Sequence, residues 1–199
     1  MLNDQVRACQ ACRLARGRTH AVPGSGSPTA EIMFVGEAPG FHEDQQGLPF
    51  VGAAGQFLDE LLRSIGLSRR DVFIANVIKC RPPNNRDPQP DELQACRPFL
   101  DRQIALIRPK IIVTLGRFSL QLVYSSASIS QVHGTPTRIG DVVYYPMFHP
   151  AAALHQPRYR TMIEQDMQRI PKLLAEIKAG QQQPEAPVEP PPPEQLSLF

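Results

Sequence analysis

No apolar run in the 199 residues approaches the roughly 20 needed to cross a bilayer, and the amino-terminal MLNDQVRACQ has no hydrophobic h-region. These absences point to a cytoplasmic protein, bacterial-type and nucleoid-associated if it handles DNA. There is no strong charge of either sign. The formal net charge is +2, and the stretch from Gln181 holds Glu185, Glu189 and Glu194 with no base, which leaves the body with +5. That excess permits nucleic acid without requiring it. Only four cysteines are present, and a reducing compartment does not favour pairing them as disulfides. What is present, 42% hydrophobic and 20% charged residues, suits one substantial core: a domain over residues 1–180, a linker over 181–194 and a terminal peptide over 195–199.

The chain is organised around EIMFVGEAPG, Glu31 to Gly40. Ile32 to Val35 read as a strand buried on both faces, since an unbroken apolar run suits a covered parallel sheet. The turn that follows has Glu37 at the carboxyl end of the strand, where open α/β sheets bind ligands. It lacks the lysine and hydroxyl of a P-loop, which excludes a nucleotide-phosphate cradle of that type.

Further along, HAVPGSGSP (His20 to Pro28) reads as a loop, and FHEDQQGLPFVG as an ordered loop carrying Phe50, either a core plug or a stacking platform. From Ala53 a helical stripe of Phe57, Leu58, Leu61, Leu62 and Ile65 ends at Gly66. VFIANVI (72–78) is a strand with polar Asn76 near its end. Asp91 with Gln94 resembles a capping box for a helix that meets Pro98, where a bend is expected. Strands follow at Ile111 to Gly116 and Val142 to Phe148, the last running into HPAAAL. Strands alternating with helices predict a parallel α/β sheet covered on both faces. Glu37, Asn76 and His149 then fall at the carboxyl ends of three strands, with Phe50 in a loop between them, and together they point to a site.

Cys9 and Cys12 have the spacing at which two thiolates reach one metal centre, with Cys80 and Cys96 further along. Spacing alone leaves zinc, an iron–sulfur cluster and unrelated buried thiols open.

GEAPG (36–40), GLPFVGAAG (47–55), NVIKCRPPNNRDP (76–88) and HPAAAL (149–154) occur in the order found in the family 4 uracil-DNA glycosylases, and all four cysteines fall where that family has its cluster ligands. The resemblance covers roughly Cys9 to Leu174. It implies a three-layer α/β/α fold with a four-stranded parallel sheet, a [4Fe-4S] cluster on Cys9, Cys12, Cys80 and Cys96, and a monomer that excises uracil from single- or double-stranded DNA. A non-catalytic iron–sulfur DNA-binding module is the competing reading.

The resemblance also implies roles. Gly36, Glu37 and Ala38 line the uracil pocket, Phe50 stacks on the flipped base, and Asn76 reads its N3–H and O4. His149 donates to O2, Glu37 orients water or balances charge, and Glu43 lies near C5 to exclude thymine. Leu154 wedges into the vacated stack, while Arg158 and Arg160 hold phosphates unless HQPRYR is a solvated basic turn. FHEDQQ lacks the basic, histidine-bearing insertion of a relative that traps uracil-DNA covalently, and His42 is no substitute by position, so turnover is expected.

Residues 181–194 are proline-rich and acidic, the composition of an extended tether. QLSLF (195–199) resembles the pentapeptide by which bacterial repair proteins bind the sliding clamp, so Gln195, Leu196, Leu198 and Phe199 are the expected partner contacts.

Overall fold

Ile32 to Val35 are buried on both sides of a sheet: Ile32 and Phe34 belong to one apolar cluster, Met33 and Val35 to another across the strands. The computed structural model describes residues 1–182. In chain order the elements are α1 (Leu2–Ala8), β1 (Ser25–Gly26), β2 (Ile32–Gly36), α2 (Phe41–Gln46), α3 (Ala53–Ser64), β3 (Phe73–Asn76), α4 (Pro90–Ile107), β4 (Ile111–Leu115), α5 (Arg117–Leu120), α6 (Ile129–Val132), β5 (Thr137–Ile139), β6 (Val142–Met147), α7 (Pro150–His155) and α8 (Pro157–Gln182).

The strands form one sheet in the order β1-β3-β2-β4-β6-β5. The inner four are parallel, as expected. The sheet is nevertheless six-stranded and mixed, because β1 runs antiparallel to β3 and β5 antiparallel to β6. Both extra strands are short edges, and β1 falls within the stretch read as a loop. Neither carries the apolar run that marks a buried strand, so pairing with a neighbour defines them.

Helices cover both faces. Phe57, Leu58, Leu61 and Leu62 of α3 pack with Ile163, Met167, Ile170 and Ile177 of α8 on one side, each side chain contributing roughly 1.5–3 kcal/mol by its burial. Leu100 of α4 and Phe118 of α5 pack on the other. A third cluster, Val6, Leu14, Ala21, Ile78, Cys80 and Cys96, sits beyond the end of β3. The chain leaves β2 for β3 on one side and returns to β4 on the other, so the strand order reverses beside β2. The crevice outside the carboxyl ends of β2 and β4 is where such a sheet holds ligands.

Several local expectations change. FHEDQQ is a helix, α2, with Glu43 at its third position accepting from the Gly40 amide. The box that starts α4 is Gln89 with Glu92, not Asp91 with Gln94. Glu92 is buried and gripped at both oxygens by Arg86, which draws it inward. Helix α4 holds Pro98 within its span and runs on to Ile107, as the sequence had it. HQPRYR is no turn, since α8 starts at Pro157 and runs to Gln182, two residues past the expected domain end. The rest of the linker and QLSLF lie outside the described residues. Among the described residues, no helix is long and apolar enough to cross a membrane.

Candidate active site

The parallel strands deliver three polar residues to one cleft. Glu37 follows β2, Asn76 ends β3 and His149 follows β6; the three line the cleft with Ala38, Gly40, Glu43, Phe50, Gly52, Pro82, Arg86 and Leu154 among others.

Asn76 is 1% exposed, and neither its Oδ1 nor its Nδ2 has a hydrogen-bond partner. Buried amides are normally paired, and an unpaired polar group costs about 1–3 kcal/mol. Both polar atoms of this amide are left without a protein partner at the cleft. Its backbone carbonyl accepts from Lys79 Nζ at 2.8 Å, and Lys79, itself 1% exposed, also donates to Gln103 Oε1 at 2.7 Å. Gly36 pairs with Asn76 across the sheet, and a Cβ there would lie 2.5 Å from Asn76 Oδ1 and 2.6 Å from the Phe50 ring. Only glycine leaves both side chains in place.

His149 caps α7, with Nδ1 accepting from the Ala151 amide at 3.1 Å. That bond occupies Nδ1 and assigns the proton to Nε2. The ring borders the cleft, yet the surrounding protein desolvates it enough to push its pKa down to about 4, against a smaller upward pull from Glu43. The imidazole is therefore neutral at physiological pH and keeps one N–H to donate. Phe50 stacks near it, ring centroids 5.5 Å apart and planes 26° from parallel. Phe50 is 5% exposed, with its ring in the cleft wall.

Glu37 is half-buried, and its pKa is raised, first by desolvation and then by Asp87, with Arg117 opposing. Glu43 faces the cleft but has its oxygens occupied: Oε1 accepts from the Val51 and Gly52 amides at 2.8 and 2.9 Å, Oε2 from the Gly40 amide at 3.1 Å. Leu154 is 50% exposed at the cleft edge. Arg158 is exposed and lies over Tyr159, while Arg160 is ion-paired with Glu60 at 2.8 Å and Glu164 at 2.9 Å. Those exposed pairs are weak. Sequence reasoning missed Lys79 and Gln103, because a buried lysine bonded to a carbonyl and an amide has no local signature.

The four cysteines line a second, small and apolar-walled cavity with Val6, Ala15, Lys79 and Phe99. They are free thiols. Three sulfurs already accept N–H groups: Cys9 from Ala11 at 3.4 Å, Cys80 from Arg18 at 3.0 Å and Cys96 from the Lys79 amide at 3.2 Å. Burial pushes the Cys80 thiol up and the Cys96 thiol up to about 11, so a cation is needed for either to ionise near neutrality. Among the described residues, no three His, Cys, Asp or Glu side chains gather closely enough to share one metal ion. Four cysteine side chains around one cavity are the soft thiolate donor set that zinc and iron–sulfur centres share.

Residues 23–173 match the model of the uracil DNA glycosylase superfamily. The chain is 50% identical to a type-4 uracil-DNA glycosylase of Sulfurisphaera tokodaii, across 86% of this chain and 83% of the relative. It is 46% identical to the type-4 uracil-DNA glycosylase of Thermotoga maritima, across 77% and 82%. Identity to a type-5 uracil-DNA glycosylase of Thermus thermophilus is lower, 33% across 70% of each chain. By the family match and by these identities, the chain belongs to the type-4 uracil-DNA glycosylases of the uracil DNA glycosylase superfamily.

Proposed function

We propose that this uracil-DNA glycosylase, a hydrolase of base excision repair, reads the flipped base through Asn76 and Phe50 and draws the departing base anion onto His149. The observation that carries this reading is the buried, unpartnered Asn76 amide. Its Oδ1 accepts from uracil N3–H and its Nδ2 donates to O4. Cytosine presents an acceptor and a donor in those places, so both contacts reverse, and two mismatches at about 1–3 kcal/mol each supply the discrimination. Flipping costs a few kcal/mol, less from a mispair or single strand, and stacking on Phe50 offsets part of it.

As the bond between N1 and C1′ breaks, its electron pair stays on the base and charge builds at O2, where the Nε2–H of neutral His149 donates. Preorganised donors of this kind are typically worth a hundredfold or more in rate. Glu37, ionised, holds the water whose oxygen bonds C1′ and receives its proton. Gly36 and Ala38 let the base approach the β2 turn. Glu43 excludes thymine by fixing the loop wall, since its oxygens are taken up by three amides.

Cys9, Cys12, Cys80 and Cys96 would hold a [4Fe-4S] cluster. Bound there, the cluster would tie the segment after α1 to the exit of β3 and to α4, a structural contribution. Leu154 fills the gap left by the flipped base, and Arg158 and Arg160 meet phosphates, Arg160 by exchanging its exposed carboxylates. The enzyme acts as a monomer whose residues 1–180 form the catalytic domain. Residues 181–194 tether Gln195, Leu196, Leu198 and Phe199 to a sliding clamp. Removing Gln195–Phe199 should abolish clamp binding and leave excision on short oligonucleotides intact; equal clamp affinity without the pentapeptide would end that part of the reading.

The central test incubates the protein with uracil-containing and matched uracil-free oligonucleotides, then cleaves abasic sites with alkali. Scission confined to uracil strands is expected. Binding without scission would favour the non-catalytic module.

A further inference from the structure

Phe50 has φ of 53°, in the left-handed region that an aromatic residue rarely adopts. Something must hold it there. The peptide groups on either side are gripped by two side chains of opposite charge. Arg69 Nη1 donates to the Pro49 carbonyl at 2.8 Å, and Nη2 donates to the Phe50 carbonyl and, at 3.5 Å, to that of Gly55. From the other side Glu43 Oε1 takes the amides of Val51 and Gly52. The Phe50 carbonyl and the Val51 amide belong to one peptide unit, so that plane is held at both ends, by a cation at its oxygen and an anion at its nitrogen. The Pro49 carbonyl fixes the plane before it. Both dihedrals of Phe50 are thereby set.

The guanidinium is itself oriented, since Arg69 Nε donates to Asp59 of α3 at 2.6 Å. Gly55 completes the seat: a Cβ there would lie 1.7 Å from the Phe50 oxygen. Arg69 follows α3 and is 19 residues from Phe50. It does not line the cleft.

From this geometry we infer that Arg69 is a positioning residue, acting on uracil excision through Phe50 by fixing the strained backbone that presents the ring to the base. The inference rests on the reading of Phe50 as the stacking residue. A planar fork satisfies several carbonyls at once, which a lysine ammonium does not reproduce. Arg69→Lys should therefore rescue little, although it keeps the charge.

The test is a double-mutant cycle on the single-turnover excision rate, using Phe50→Leu, Arg69→Met and the pair, with thermal melting of each. Arg69→Met and Phe50→Leu should each slow excision at least tenfold, with affinity for DNA carrying a non-cleavable uracil analogue changed less than threefold. The pair should be no slower than Phe50→Leu alone, because an effect that passes through the ring vanishes once the ring is gone. Equal factors in the two backgrounds, or a folded Arg69→Met with an unchanged rate, would overturn the inference. If Arg69→Met does not fold, the same cycle with Arg69→Lys decides by the same criterion. Failure of the uracil reading looks different: Phe50→Leu and Asn76→Asp would then both leave excision unchanged.

Discussion

The Asn76→Asp change alters one atom in a place the structure isolates. Asn76 is 1% exposed and donates to no protein acceptor, so its NH₂ is free for uracil O4. A carboxylate there would set an oxygen against O4, losing one hydrogen bond and adding repulsion. At about 1–3 kcal/mol for the lost bond and a comparable amount for the clash, the barrier rises by roughly 3 kcal/mol or more. At 1.36 kcal/mol per decade this is on the order of a hundredfold in rate at neutral pH. When protonated, the same carboxyl regains a donor, and it can also face cytosine, with O–H toward N3 and the carbonyl toward N4–H. Relative to the parent at the same pH, uracil excision by Asn76→Asp should therefore recover as pH falls, and weak cytosine excision should appear. Single-turnover assays with uracil and cytosine oligonucleotides across pH, followed by alkali cleavage, measure both. A rate within threefold of the parent at neutral pH, with affinity unchanged, would refute the reasoning and remove Asn76 from base recognition.

His149→Ala should lower the single-turnover rate about a hundredfold while weakening DNA binding far less, as expected for a donor that acts on developing charge; equal losses in rate and affinity would mark a binding role instead. In the proposed mechanism Glu37 acts ionised, and desolvation raises its pKa, so the rate should fall as pH drops through a value above the ordinary carboxylate range. His149, pushed down to about 4, should contribute no limb between pH 5 and 8. Glu37→Gln should lower and flatten the profile, and persistence of the acidic limb in that variant would assign it elsewhere. Cys80→Ala should remove the visible absorbance at about 400 nm and reduce solubility, because the four sulfurs join distant parts of the chain; stoichiometric zinc in anaerobically purified protein would exclude the iron–sulfur assignment.

The amino-acid order by itself determined the elements whose burial is periodic or continuous. The run of Ile32 to Val35 marks a strand covered on both faces, and the stripe from Phe57 to Ile65 marks α3 and its end at Gly66. It also determined that Glu37, Asn76 and His149 stand at strand ends, hence on one rim, because parallel connections bring like ends together. What only the tertiary structure decided depends on contacts between distant residues. The edges β1 and β5 exist through pairing and carry no hydrophobic signature. Whether Phe50 was a plug or a platform could not be read from a proline-flanked aromatic. Its ring is buried in the cleft wall beside His149, held by an arginine beyond α3 and a glutamate that sequence reading had set against the base itself. Lys79 carries no mark in the sequence, yet lies buried between a carbonyl and an amide oxygen. Arg160, a phosphate ligand by the resemblance, arrives already paired. Periodicity records how much of a side chain leaves water; which partner a charge meets is a property of the folded neighbourhood, set by residues tens of positions away.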